Sequence, residues 1–390
     1  MLYIFTAYFV QAIPYLGDVL KFLFAWLENL TVFIGKHMLG LDVVVNSGDS
    51  LFEYCKLLSI ALLSLFTALV LTTFFGKNRD YNQLKEFSVL CVRYFLGIIL
   101  ILYGIVKIFD GQFRSPDYET LTTTFGESTP AGLLWTFMGY SKPFIVFCGM
   151  FQIVAAYLLF FRRTLVLGSL LSLIATGYVA MLNLCYNIPV KIISLHLLLM
   201  AAVLVAPFIK QLAAFFVGQQ ATTIYIPRLR FKRRWLRIWR VVLKTILIAG
   251  IPVAFFLTVF IPYVQTPVFK MDGIYTVRKF ELIQHDGPEQ EQPLDKWKTL
   301  HLNEAYRRAT VITSKNDTIS PYLTIHPENK TFTLLGNHIN VFHYKKLPKN
   351  SFEVTGRYEK DSIHFFLKTK PVSSYRLMKT RFRWTFDYPD

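Results

Sequence analysis

Residues 93–110 read RYFLGIILILYGIVKIFD. Charged side chains stand only toward the ends, Arg93 at one and Lys107 and Asp110 at the other, with apolar residues and glycine between them. Together with the apolar residues from Ser88 onward, the stretch predicts a helix long enough to cross a hydrocarbon core of about 30 Å. Arg93, Gly97, Leu100, Gly104 and Lys107 recur at three- and four-residue steps and share one helix face. Small residues on such a face let a second helix approach closely.

The rest of the chain is read outward from this span. Of its 390 residues 53% are hydrophobic, with 36 Phe and 21 Tyr, and the apolar windows all fall in the first 265. Seven are near membrane-spanning length: residues 2–26, 55–75, 88–109, 144–161, 164–186, 191–209 and 241–264. The first is interrupted by Pro14, Asp18 and Lys21. It has no basic leader and no small-residue cleavage site before Asp18, so it reads as a span and not as a secretion signal. Residues 27–49 mix apolar and charged side chains and read as interfacial. The expected fold class is a membrane all-α helical bundle of about seven transmembrane helices followed by an antiparallel all-β domain. The expected divisions are an N-terminal pair of spans over 1–87, a four-helix unit over 88–210, a basic loop over 211–240, a last span over 241–264 and a β domain over 267–390.

A net charge of +17 would point to nucleic acid in a soluble protein, but here the basic residues flank the spans. The connections 76–87, 162–163 and 210–240 hold three, two and eight Lys or Arg, and all fall on one side. The opposite connections hold only Lys36, Arg114 and Lys142. This asymmetry predicts a cytoplasmic N-terminus and a β domain on the far side of the membrane. The run from Arg228 to Arg240 reads as lipid-headgroup contact beside a span, with no nucleic-acid partner expected. Cys55, Cys91, Cys148 and Cys185 lie in apolar windows without a CxxC pair, which argues against a dithiol or zinc site.

Two extramembrane features stand out. In the 110–143 connection, Ser128 or Thr129 reads as an N-cap and Pro130 as a first-turn residue. The short apolar helix over 128–139 that follows predicts an interfacial lid bearing Trp135. From residue 270 onward, short runs alternate apolar and polar residues: 275–282, 298–302, 309–313, 322–325, 331–335, 339–344, 352–357, 363–368 and 381–386. Turn residues separate them, so an antiparallel meander is expected, either a small barrel or a sandwich.

Ionisable and amide side chains inside a bilayer are costly and need partners or a wet cavity. Under the topology above, Lys107, Gln152, Asn183, Lys191 and His196 all fall in the outer half of the bilayer. With Arg93 they form the candidate ligand-binding set, roofed by Trp135. Two Lys and a His favour an anionic or carbonyl-bearing group, such as a headgroup or a quinone. Each residue also has a plainer reading: Lys107 and Lys191 as snorkelling side chains, the amides and hydroxyls as interhelical hydrogen bonds, His196 as a satisfied buried histidine.

The run Tyr103-Gly104-Ile-Val-Lys107, with Arg93 on the same helix, resembles the first helix of DoxX-like membrane proteins. The stretches 128–139, 161–168, 182–191 and 382–389 resemble an uncharacterised bacterial subgroup of that family with a β-rich tail. The resemblance implies an inner-membrane protein with a periplasmic C-terminal domain. The wider family implies quinone chemistry: one DoxX-type protein is the small subunit of a thiosulfate:quinone oxidoreductase, and the membrane part of vitamin K-dependent carboxylase is a more distant relation. Gln152 and Asn187 stand where the subgroup more usually has an acid, which argues against proton transfer at those positions. The leading expectation is an accessory component that binds lipid or quinone and engages a protein partner through its β domain. The alternatives are a quinone-linked oxidoreductase subunit and a carboxylase-like enzyme with a membrane lysine as base.

Overall fold

The computed structural model describes residues 16–75, 81–109, 111–219, 223, 234–250, 253, 273–285, 296–304, 307–336, 338–348, 351–359, 361–369 and 374–379. The chain divides into two compact units. One comprises 1–113 and 129–261; the other comprises 114–128 and 262–390.

The first unit is helical. Its elements are α1 (Leu16–Met38), α2 (Leu51–Phe75) and α3 (Asn82–Ile108), followed, after a short helix α4 (Tyr118–Thr122) that belongs to the other unit, by α5 (Pro130–Tyr140), α6 (Lys142–Phe160), α7 (Leu165–Cys185) and α8 (Lys191–Val205). A 3-10 turn carries α8 into α9 (Ile209–Phe216), and α10 (Arg234–Thr245) runs into a π turn over Ile246–Gly250. Five helical stretches among the described residues are long and apolar enough to cross a membrane: Leu51–Phe74, Asn82–Ile108, Lys142–Phe160, Arg162–Cys185 and Lys191–Phe216. Five of the seven expected spans are thus present among the described residues. The first expected span lies partly outside the described residues, as does most of 241–264. What is described of the first span continues as helix to Met38, through residues that composition mixed enough to look interfacial.

Four helices close a ring: α3 packs on α6, α6 on α7, α7 on α8, and α8 on α3. Leu96, Leu100, Ala156, Leu159, Leu197 and Ala201 lie at its centre. Small residues set the spacing. A Cβ on Gly104 would sit 2.7 Å from the Gly149 carbonyl oxygen, and one on Gly149 would sit 2.7 Å from that of Gly104. One methyl group on either would force α3 and α6 apart. α1 pairs with α2.

The second unit is a closed antiparallel barrel. Its strands are β1 (Gly273–His285), β2 (Trp297–Asn303), β3 (Arg308–Thr313), β4 (Thr318–Ile319), β5 (Tyr322–His326), β6 (Thr331–Leu335), β7 (Ile339–Leu347), β8 (Ser351–Tyr358) and β9 (Asp361–Thr369). Their order is β2-β1-β9-β8-β7-β6-β5-β3-β4, and a β2–β3 pairing closes the circuit. That closure selects barrel over sandwich. Eight of the expected strands are present; the ninth, 381–386, lies outside the described residues. β4, only two residues long, leaves no readable alternation. Inward positions follow period two, as in β9, where Ile363, Phe365 and Leu367 are buried. Seven aromatic residues of the described chain are buried in its core: Tyr275, Trp297, Phe332, Phe342, Phe352, Tyr358 and Phe365.

Candidate functional site

α3 carries Arg93 and Lys107 inward, but to different places. Arg93 and Lys107 are fourteen residues apart, so about 21 Å of helix axis separates them. Arg93 is buried, and its Nε donates to the Leu159 carbonyl in the last turn of α6. The last four carbonyls of a helix lack intrahelical partners and carry the negative end of its dipole. A guanidinium there closes the helix end, so Arg93 has a partner within the helical bundle, well apart from Lys107.

Lys107 is only 5% exposed. Its Nζ lies 5.5 Å from the centre of the Tyr103 ring and 6.0 Å from that of Phe113. Among the described residues it has no hydrogen bond and no ion pair. Phe113 in turn lies 5.2 Å, ring to ring, from Trp135. Phe113, Leu134, Met138, Ile145 and Ile188 form the surrounding apolar cluster, with Trp135, Cys148 and Tyr186 packed on it. The lid helix arises locally: Thr129 Oγ1 accepts from the Gly132 amide at 3.0 Å, and Pro130 occupies the first turn. Lys142, at the start of α6, donates to the Ile108 carbonyl at 2.7 Å and so fastens the end of α3 beside Lys107.

The other expected residues divide. Gln152 is buried with Oε1 lacking a hydrogen-bond partner among the described residues, and Ser172 Oγ on α7 is in the same state. Asn183 is buried on α7. Ser169 and Thr176 return their hydroxyls to their own helix, to the carbonyls of Leu165 and Ser172, instead of bridging helices. His196 is half-buried, with Nδ1 bonded to the Ile192 carbonyl at 2.8 Å, which places a ring proton on Nδ1.

Lys191 has a structural task. Its Nζ donates to Asn187 Oδ1 at 2.9 Å and lies 3.5 Å from Asp49 Oδ2. The Asp49 carboxylate also accepts from the Lys191 and Ile192 amides at 2.8 and 3.0 Å. A carboxylate on the first free amides of α8 satisfies them and complements the helix dipole. Lys191 is thus the cation beside the carboxylate that caps α8.

The protein named "Uncharacterized protein YwoB" of Bacillus subtilis (strain 168) is 33% identical to the chain over 112 residues, which is 29% of this chain and 71% of YwoB. The chain belongs to the YwoB family. No family model matches it, and no solved structure does.

Sequence reasoning missed two features of this YwoB-family chain. Asp49 is 142 residues from its partner amide, and no local pattern announces such a contact. The second was legible: Ser50-x-x-Glu53 has the spacing of a capping box, and Ser50 Oγ accepts from the Glu53 amide at 3.3 Å. Glu53 also holds Lys56 at 3.2 Å, both side chains no more than 7% exposed, while Lys56 lies over the Phe52 ring. Among the described residues of the YwoB-family chain, Gln152 Oε1, Ser172 Oγ and one oxygen of Glu53 are among the buried polar atoms without a hydrogen-bond partner, and the buried Lys107 amine has aromatic rings beside it. A buried amine walled by aromatic rings attracts anionic and carbonyl oxygens, because an unpaired charge in a low-dielectric site is costly.

Proposed function

We propose that this protein is a DoxX-like inner-membrane component. Its helical unit holds a lipid headgroup or a quinone beside Lys107, in the outer half of the bilayer, and its periplasmic barrel engages a protein partner. The observation that carries the reading is the buried Lys107 amine, which has aromatic neighbours and neither ion pair nor hydrogen bond among the described residues. Ionisable groups kept in a membrane mark ligand or ion sites by default. Aromatic faces supply part of the solvation that an ammonium loses, and an incoming phosphate or quinone oxygen supplies the rest. Phe113 covers the amine and packs on Trp135, and Gln152 lies deeper on α6.

The orientation is supported by the crowding of Lys and Arg into the connections on one side.

Mass spectrometry of lipids and quinones that co-purify in mild detergent tests the proposal. Wild type is expected to retain a bound species that Lys107→Ala loses. The same species held equally by Lys107→Ala and Trp135→Ala would remove the site.

A further inference from the structure

We propose that the buried Glu53–Lys56 pair, at the start of α2, binds a lipid headgroup that carries a primary ammonium beside a phosphate. The Glu53 and Lys56 side chains are 7% and 5% exposed, and Lys56 Nζ lies 3.2 Å from Glu53 Oε1. Taking two charges out of water is costly, and an ion pair offsets that cost only when its remaining hydrogen-bonding capacity is also used. Here it is not. Glu53 Oε2 is buried without a hydrogen-bond partner among the described residues. The Lys56 ammonium has N–H groups to spare. Among the described residues it meets that one carboxylate oxygen and the face of the Phe52 ring, 5.2 Å away. Packing does not explain the pair either. Arg93 joins α3 to the end of α6, and Asp49, just before α2, holds the start of α8. Phe52, Glu53 and Lys56 all belong to α2, so among the described residues this ion pair ties α2 to no other element. Ionisable groups kept in a span without such a task mark ligand sites.

The chemistry of the pair selects the ligand. Carboxylate and ammonium cancel, so a bare cation or anion is attracted by one partner and repelled by the other. A group with its own ammonium and anion side by side satisfies both. Its N–H donates to Glu53 Oε2, and its phosphate oxygens accept from Lys56. Depth selects the bearer. The 24-residue stretch Leu51–Phe74 is about 36 Å long, more than a hydrocarbon core of about 30 Å, so its first turns stand at headgroup level. There the apolar stem of Lys56 can carry its ammonium to a phosphate. Phosphoethanolamine fits this pair. Phosphocholine does not, because its quaternary nitrogen has no N–H to give Glu53. Phosphoglycerol offers the phosphate without the ammonium.

Native mass spectrometry of the full-length protein in mild detergent tests the site. Phosphatidylethanolamine, phosphatidylcholine and phosphatidylglycerol with the same acyl chains are added in equal amounts. Wild type is expected to retain one phosphatidylethanolamine roughly ten-fold over phosphatidylcholine, the effect of one charge-assisted hydrogen bond. Glu53→Gln keeps the side-chain shape and leaves Lys56 without its counter-charge. It is expected to turn the preference toward phosphatidylglycerol, a gain that a misfolded variant does not show. Lys56→Gln is expected to lower retention of phosphatidylethanolamine and phosphatidylglycerol together. Excess glycerophosphoethanolamine, the soluble headgroup, is expected to leave the bound lipid in place. Equal retention of phosphatidylethanolamine and phosphatidylcholine by wild type overturns the proposal, as does a preference unmoved by Glu53→Gln. Displacement by the soluble headgroup overturns the assignment to a lipid. The readout is a ratio between lipids that answers to Glu53, so it stands or fails apart from the species held at Lys107.

Discussion

In the barrel, aromatic rings such as Tyr275, Trp297, Phe332, Phe342 and Phe365 fill the interior and the buried polar residues are Thr313, Thr331, Asn340 and Asp361, whereas the helical unit buries cations, Arg93 and Lys107 among them, together with Gln152, Ser172 and Asn183. The difference follows from the solvent each unit meets. Water drives apolar side chains together in the barrel. Lipid is as apolar as leucine and gives helices no such drive, so they associate through close backbone approach and polar contacts. Gly104 against Gly149 supplies the first. Arg93 on the Leu159 carbonyl and Asp49 on the start of α8 supply the second.

The largest effect expected from this contrast is in the barrel. Phe365→Ala should cost about 3–5 kcal/mol, read as lost hydrogen-exchange protection in β7–β9 with protection of α3 and α6 unchanged. A loss spread over both units would break the contrast. Next comes Asp49→Ala, which strips two amides and a lysine of their anion and should cost the helical unit about 2–4 kcal/mol. Protection should fall first in α8 and α2, and the barrel should not respond. Gly104→Val should cost about 1–3 kcal/mol by separating α3 from α6, measured as a lower melting temperature of the helical signal in detergent.

The pH response belongs to the barrel. Burial, with the Glu359 charge adding to it, holds the Tyr358 phenol above its ordinary pKa of 10.0. The unfolded chain therefore releases this proton first. The stabilisation is full below pH 10, and it is lost as pH rises through the folded-state value. Tyr358→Phe should move alkaline loss of protection in β8 to higher pH. The smallest loss of all is expected from Lys107→Met, which should leave helical stability unchanged or raise it, because an unpaired buried charge opposes folding. A loss of several kcal/mol would show that Lys107 serves packing and not a ligand.

Legibility tracked distance along the chain. Thr129 and Pro130 start the lid helix through a bond three residues long, and their pattern was visible. Strand runs from 275 to 368 were visible for the same reason, since period-two alternation is a local property. Arg93 and Lys107 looked alike, as two cations on one face of one helix. Their partners lie on other elements and give them different tasks, so Arg93 closes a helix and only Lys107 keeps an open valence.

Sequence alone determined that the first part of the chain is apolar helix fit for a bilayer and that the last part is antiparallel β. Residue order fixes periodicity and hydrophobic length before any long-range contact forms. Tertiary structure alone decided that the sheet closes, through the pairing of β2 with β3. It also decided that Asp49 holds Lys191 and that 114–128 joins the barrel's unit. Each of these turns on groups far apart in the chain, brought together only when the whole fold has paid their entropy of approach.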